Sequence, residues 1–259
     1  MNQPLFSVIH LFETLPLKKL PKDSLLLSRV DTKFTFSIEL LEDVLKECIS
    51  HYYIVTVNEN RQCRYETKYY DSNDLAFYHH HHAGHANRLK IRLRKYVETE
   101  NYFLEVKHRT NKGRTMKPRI ALTGNEQLPL KFLNNEAFRE INITPFNLLH
   151  ESIQVNYTRL TLASKKSAER VTIDTGLEFI NGSKKVSIPD LVIAEVKQDK
   201  SCSSAFKQVM NTMHLRKGSI SKYCFGIMSL YNNVKKNRFK EKIRQIQKRT
   251  NYHAITSDY

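Results

Sequence analysis

Glycine and proline are scarce in this chain, seven of each in 259 residues, and they do not cluster. That scarcity leaves no obvious linker, and no internal repeat is present. Hydrophobic runs are short. None approaches the roughly 18 apolar residues of a membrane-spanning helix, and the first 20 residues lack the basic start and long apolar stretch of a secretory signal. The four cysteines, Cys48, Cys63, Cys202 and Cys224, show no close pairing of the zinc-site kind. Reduced, packed thiols in a cytoplasmic protein are expected. No Gly-x-x-x-x-Gly-Lys-Ser/Thr loop occurs, which removes the commonest nucleotide-binding device.

Acidic residues are also in short supply: 26 Asp and Glu face 42 Lys and Arg, a formal charge of +16. Such an excess attracts polyanions, whether nucleic acid, polyphosphate, nucleotides or an anionic membrane surface. At 40% hydrophobic and 26% charged the chain is globular. Its length fits one large domain or two small ones.

The most informative segment is Arg88 to Tyr96, Arg-Leu-Lys-Ile-Arg-Leu-Arg-Lys-Tyr. Successive strand residues point to opposite faces, so Arg88, Lys90, Arg92 and Arg94 form one row and Leu89, Ile91 and Leu93 the other. The apolar row fits a core. Like charges sharing a sheet face repel, so the basic row suits a strand across which an anion lies. The competing reading is a solvated strand face with opposite charges supplied by its neighbours. Tyr102 to Arg109 alternates again, with Phe103, Glu105, Lys107 and Arg109 on one face, and Arg114 to Leu122 carries Lys117 and Arg119. Later strand candidates add Tyr157 and Arg159, Arg170 and Asp174, then Glu195 and Lys197; near the start, Arg29, Asp31 and Lys33 stand at spacing two. So many basic strands point to a shared cavity.

The remaining pattern predicts a short helical lead-in over residues 1–24, a helix from an N-cap at Ser37 to about Cys48, and strands at Tyr52–Val57 and Arg61–Tyr70. A short helix is expected over Asn73–His82, one or two helices over Glu126–Leu149, and strands at Ser152–Leu162, Ala168–Asp174 and Leu191–Lys197. A further strand is placed near Leu177–Ile180, and helices over Ser201–His214 and Tyr223–Tyr231. Regular β–α alternation is missing, so a doubly wound parallel sheet is not expected. The expectation is an α+β fold: an antiparallel β-barrel or tunnel with flanking helices and a polar lumen. The domain division expected is a lead-in over 1–24, a tunnel domain over 25–231 and a basic tail over 232–259.

Several pieces together resemble the polyphosphate polymerase domain of the vacuolar transporter chaperone family, within the triphosphate tunnel metalloenzymes. They are Arg29-Val-Asp-Thr-Lys33-Phe, Thr67-Lys-Tyr-Tyr-Asp71, Asn73-Asp-Leu-Ala-Phe-Tyr78, Lys90-Ile-Arg92-Leu-Arg94-Lys-Tyr96 and Phe103-Leu-Glu105-Val-Lys107. Asn156-Tyr157-Thr-Arg159, Arg170-Val-Thr-Ile-Asp174, Ala194-Glu195-Val-Lys197 and Ser221-Lys222-Tyr223 complete the set. No single piece is specific, but their order and spacing jointly are. The resemblance implies a strand tunnel that transfers the terminal phosphate of ATP to inorganic polyphosphate with a divalent metal, Mn²⁺ or Mg²⁺. By match, Arg92, Arg94, Lys107, Lys117 and Arg159 grip phosphate, and Lys33, Arg170, Lys197 and Lys222 complete the ring. Lys90 joins them from the basic row; Glu195 holds the metal; Tyr157 and Ser221 donate hydrogen bonds. Eukaryotic relatives add an inositol-polyphosphate-sensing domain and membrane helices, for which 259 residues are expected to leave no room.

Other readings stand beside this one. Tunnel hydrolases and cyclases open with Glu-x-Glu-x-Lys, where this chain has Arg29-Val-Asp31-Thr-Lys33; the exchange favours the polymerase branch. Glu195 is either a metal ligand or an ion-pair partner of its basic neighbours. Asp31 and Asp174 read as orienters of basic side chains. The run His79 to His82 with His85 is expected on the solvent side of a short helix, outside the tunnel. The tail Lys235 to Arg249 offers only Phe239, Ile243 and Ile246 as apolar residues. It reads either as a solvated helix or as a guide for polyphosphate or an anionic membrane surface. A non-catalytic polyanion-binding protein is the alternative from a different class.

Overall fold

The computed structural model describes residues 7–20, 29–124, 129–141, 148–200, 202–218 and 220–250. Among the described residues twelve strands form one sheet. In chain order they are β1 (Thr14–Pro16), β2 (Arg29–Ser37), β3 (Tyr52–Thr56), β4 (Gln62–Ser72), β5 (Arg88–Tyr96), β6 (Asn101–Arg109), β7 (Thr115–Met116), β8 (Arg119–Leu122), β9 (Leu149–Ser164), β10 (Arg170–Asn181), β11 (Lys184–Ile188) and β12 (Leu191–Asp199). The helices are α1 (Leu41–Cys48), α2 (Ala76–Ala83), α3 (Ala205–Thr212), α4 (Lys222–Leu230) and α5 (Lys240–Arg249), with shorter 3₁₀ turns between.

The main path runs β2-β12-β10-β9-β4-β5-β6-β7, with β8 also on β6, β11 on β10, and β3 on β9. All of these ladders are antiparallel; among the described residues only β1 on β3 is parallel. Among the described residues β2 and β8 do not pair, so the sheet curls into a tunnel wall without hydrogen-bonded closure. Helix α4 spans the trough. Ser221 at its N-cap accepts a hydrogen bond from Lys90 on β5 at 2.7 Å, and Lys222 reaches Asp174 on β10.

Alternation sorts the side chains into three apolar clusters. Phe34, Phe36, Leu160, Leu162, Val171, Ile173, Ala194 and Val196 lie under α1 and α3. Ile91, Leu93, Leu104 and Val106 lie under Leu133, Phe138 and Ile141. The third cluster packs α4 against Ile153, Val155, Tyr157 and Phe179, the same strand face that carries the tunnel residues farther along. Close approach there requires Gly226: a Cβ at that position would sit 2.5 Å from Phe179 and 2.7 Å from Ile153.

One buried carboxylate ties two helices together. Asp71, at the end of β4, accepts from the backbone N–H of Phe77 at 2.9 Å and Tyr78 at 3.0 Å, and from the Tyr223 hydroxyl on α4. It also accepts from Ser72 N–H at 2.8 Å.

Several expectations are corrected. The lead-in is not simply helical: two 3₁₀ turns flank β1, which pairs with β3, and residues 1–6 and 21–28 lie outside the described residues. The helices expected over 126–149 are 3₁₀ turns at Pro129–Asn134 and Glu136–Phe138, with 125–128 and 142–147 outside the described residues. The strand expected at 114–122 is broken into β7 and β8 at Lys117-Pro118, because proline has no N–H for the ladder. The solvated tail is also corrected. Ile243 and Ile246 of α5 are buried in the cluster around α4, and Arg249 Nη1 donates to Thr35 O at 2.7 Å and Thr35 Oγ1 at 2.8 Å. Two isoleucines three residues apart suffice because Phe239 and Val234 pack beside them.

Candidate functional site

Strand register brings the basic rows into line. Arg92 stands between Tyr69 on β4 and Glu105 on β6, and Arg94 between Thr67 and Phe103. Lys90 stands opposite Lys107. On the other half, Arg159 lies between Cys63 and Asp174, Glu195 between Thr172 and Lys33, and Lys197 between Arg170 and Asp31. Directly opposed residues share a face, so these groups line one wall. Lys117 stands apart, exposed on the break between β7 and β8.

Carboxylates orient the cations. Asp174 receives Arg159 through two parallel bonds, Nε at 2.6 Å and Nη2 at 2.8 Å, and also holds Lys222. This two-pronged geometry fixes the guanidinium plane. Glu195 pairs with Lys33 at 2.8 Å and lies 3.9 Å from Lys197. Glu105 serves two arginines, Arg92 at 2.5 Å and Arg94 at 3.7 Å. Aromatic rings complete the wall. Tyr65 and Tyr157 stack with centroids 5.1 Å apart. The Arg159 guanidinium lies 5.0 Å from the Tyr65 ring, and the Lys222 ammonium 4.6 Å from the Tyr157 ring.

The electrostatics follow from burial and crowding. Burial works to raise the Glu195 carboxyl, but Lys197 and Lys33 overcome it and hold the group at about 2. Asp174 is likewise held far down: burial opposes, while Arg159 and Lys222 win. Lys107 is exposed as a residue, yet partial desolvation and then Lys90, Lys117, Lys33 and Arg92 push its ammonium down to about 8. Lys33 thus acts on Lys107 from the opposite end of the strand order, as a curled wall requires. Lys90 is also lowered, chiefly by burial. The Tyr69 phenol is drawn down by Arg92, Arg94 and Lys90 against the effect of burial, and its hydroxyl lies 3.4 Å from Arg92 Nη1.

Sequence reasoning passed over Tyr69, Thr67 and Tyr65 as wall residues. Their spacing of two along β4 is the signal that was there to use. It was weak because uncharged side chains at alternate positions look like any half-buried strand. The His run is a second correction. His82 is buried, its Nε2 3.3 Å from the backbone N of Arg238, and burial with Lys90, Arg88, Lys242 and Lys107 pushes His81 down to about 3. The solvent-side expectation therefore holds for His80 and His85, which are exposed, and fails for His81 and His82, which turn toward the basic end of the wall.

No group of three or more His, Cys, Asp or Glu is placed to hold a metal among the described residues. Glu195 nevertheless fits an ion held through substrate, since it is ionised and lies on the wall where phosphates would lie. Mg²⁺-type ions commonly take one or two carboxylates and complete their shell with phosphate oxygens and water. Among the described residues no helix is long and apolar enough to cross a membrane.

None of the curated protein sequences compared with the chain matches it. Solved structures do. A candidate adenylate cyclase from Bacillus halodurans superposes with TM-score 0.51 at 12% identity, over 75% of this chain and 94% of that one. A candidate adenylyl cyclase from Hippeastrum, described as having a dominant triphosphatase activity, gives TM-score 0.51 at 9% identity, over 79% of this chain and 98% of that one. At such identities the likeness shows the fold, the curled wall of the triphosphate tunnel. The model of the VTC domain matches residues 28–231, the stretch that holds every wall residue described above, and the chain therefore belongs to the VTC domain family.

Proposed function

We propose that this chain transfers the terminal phosphate of ATP to the end of an inorganic polyphosphate chain lying along the basic wall. The observation that carries this reading is how the wall's carboxylates are used. Glu105, Asp174 and Glu195 are each ion-paired to wall cations, while Lys90, Arg92, Arg94 and Lys107 still crowd one another. Such a wall suits a long, densely charged anion.

Phosphoryl transfer asks the protein mainly for positioning and charge neutralisation. An ionised terminal oxygen of polyphosphate attacks the γ-phosphorus, the bond to the β–γ bridging oxygen breaks, and its electron pair leaves with ADP. The attacking oxygen carries no proton, so no general base is required. Arg92, Arg94 and Arg159 supply planar donors to phosphate oxygens, and Lys33, Lys107, Lys197 and Lys222 supply point charges. Arg170 and Lys117 extend the cationic surface, while Ser221, Tyr157 and Lys90 add shorter-range contacts. A divalent metal, when bound, neutralises charge across neighbouring phosphates, and Glu195 is the residue that would hold it.

Hydrolysis is the second reading, favoured by the likeness to the Hippeastrum structure. There water takes the place of the chain end. Incubation of the purified protein with ATP and Mn²⁺ separates the outcomes on a gel. Ladders of polyphosphate with ADP support transfer. Phosphate without ladders overturns it in favour of a triphosphatase, and pyrophosphate with cyclic AMP in favour of a cyclase.

A further inference from the structure

Two buried polar groups on the tunnel wall are left without a hydrogen-bond partner, and the residues that carry them are paired across one ladder. Thr67 Oγ1 and Arg94 Nε are both buried and make no hydrogen bond. Thr67 is fully buried, and Arg94 is 8% exposed. The two residues are direct partners across the β4–β5 ladder, which puts their Cβ atoms about 5 Å apart on one face. That face is the tunnel wall: Arg94 shares Glu105 with Arg92, and its guanidinium lies 5.6 Å from the Tyr65 ring.

An unsatisfied buried donor is destabilising, and more so when it is charged. The fold does nothing locally to relieve this cost. Glu105 is engaged by the Nη1 side of Arg94 at 3.7 Å and by Arg92, and Thr67's other ladder neighbour is Val155, which offers only carbon in its side chain. Valine has nearly the same shape as threonine and would be dry at this position. The hydroxyl can donate as well as accept and the Nε–H can only donate, so an acceptor that reached both would satisfy both. On a wall of this charge, that acceptor is an anionic oxygen.

Resting on the tunnel reading above, we propose that Thr67 Oγ1 and Arg94 Nε form a paired donor site for one non-bridging phosphate oxygen, which makes Thr67 a further substrate-binding residue. Thr67 fixes where along the wall that phosphate sits, and Arg94 supplies the charge.

The test uses the full chain and inorganic tripolyphosphate as the probe, with binding measured by calorimetry and ligand-free stability by thermal melting. Thr67→Val is expected to weaken tripolyphosphate binding about tenfold, the worth of a hydrogen bond to a charged group. Its ligand-free melting temperature should be unchanged or higher, because an unsatisfied group has been removed. Thr67→Ser, which keeps the hydroxyl, should bind within about twofold of the parent. Equal binding by the parent and the valine variant overturns the proposal. So does a valine variant that melts early or fails to fold while the serine variant binds no more tightly than Thr67→Ala, since the hydroxyl would then serve the fold and not the ligand. A parent chain that does not bind tripolyphosphate overturns this inference and the tunnel reading together. Binding without polymer synthesis removes only the transfer reading.

Discussion

The two halves of the tunnel wall handle the same kind of charge in opposite ways. On the half built from β9, β10, β12 and β2, Arg159 and Lys222 share Asp174, and Lys33 pairs with Glu195. On the half built from β4, β5 and β6, Arg92 and Arg94 share the single carboxylate of Glu105, and Lys107 sits among other cations. The first half is held in shape before any ligand arrives. In the second, burial and neighbouring cations lower Lys90 and Lys107, a crowding that a bound anion would relieve. Under the proposed function, positioning and affinity would reside in different strands of one continuous sheet.

Substitutions on the two sides should accordingly fail in different ways. The largest effect on turnover is expected from Arg92→Ala, which removes a neutralising guanidinium from the crowded half. Phosphate transfer should fall about a thousandfold, in the range measured for arginines that stabilise phosphoryl transfer, with little loss of stability. A variant that keeps near-normal rates in a single-turnover assay would dissolve the distinction between the halves. Asp174→Ala attacks the other side. It strands Arg159 and Lys222, and breaking a buried pair costs about 3–5 kcal/mol. Chemical denaturation should show that loss directly; a midpoint like the parent's would mean that the ion pairs do not hold the wall.

The smallest effect is on pH dependence, and it sharpens the comparison by isolating one lysine. The folded chain holds Lys107 at about 8 against an ordinary 10.5, so the unfolded chain binds more protons between those values. Ligand-free stability should therefore rise with pH across that window. A bound polyanion reverses the preference and favours the ammonium. Tripolyphosphate binding near pH 8 should take up part of a proton and weaken as the pH rises further. Calorimetry in two buffers of different ionisation enthalpy reads that uptake, and Lys107→Met should abolish it. Uptake that persists in the variant would assign the titration elsewhere.

Much of this was legible in the sequence because period-two alternation is a strong signal when one row is charged. The bounds of β5 emerge as Arg88–Tyr96, and β6 begins one residue before the expected Tyr102. Charge also made Glu195, Lys33 and Arg159 visible as wall residues before their partners were known. Legibility fails where the signal is uncharged or non-local. Strand β11 follows the Asn181-Gly182 turn, but its Lys-Lys-Val-Ser-Ile offers only two apolar residues to alternate, so it escaped notice. Residues 129–138 lie in a stretch of helix-forming composition yet make tight 3₁₀ turns, where Leu133, Phe138 and Ile141 pack in one cluster with the apolar row of β5 and β6. The burial of α5 depends on α4, which no local pattern could announce. Nor does spacing reveal that Thr67 Oγ1 and Arg94 Nε both lack a hydrogen-bond partner, since that is a property of the finished ladder.

The Asp71 junction has a mechanical consequence. Helix α2 is only eight residues long and starts on Leu75, a non-glycine residue in the left-handed region at φ 55. A helix so short does not persist alone in water, and its entry residue costs about 1–2 kcal/mol. Its first free amides are seized by a carboxylate that also grips Tyr223, one residue beyond Lys222. The histidine-bearing helix and the helix that delivers Ser221 and Lys222 are thus hinged on the same pin. A force that frays one loosens the other, and the tunnel loses its far cation together with the cover over its basic end.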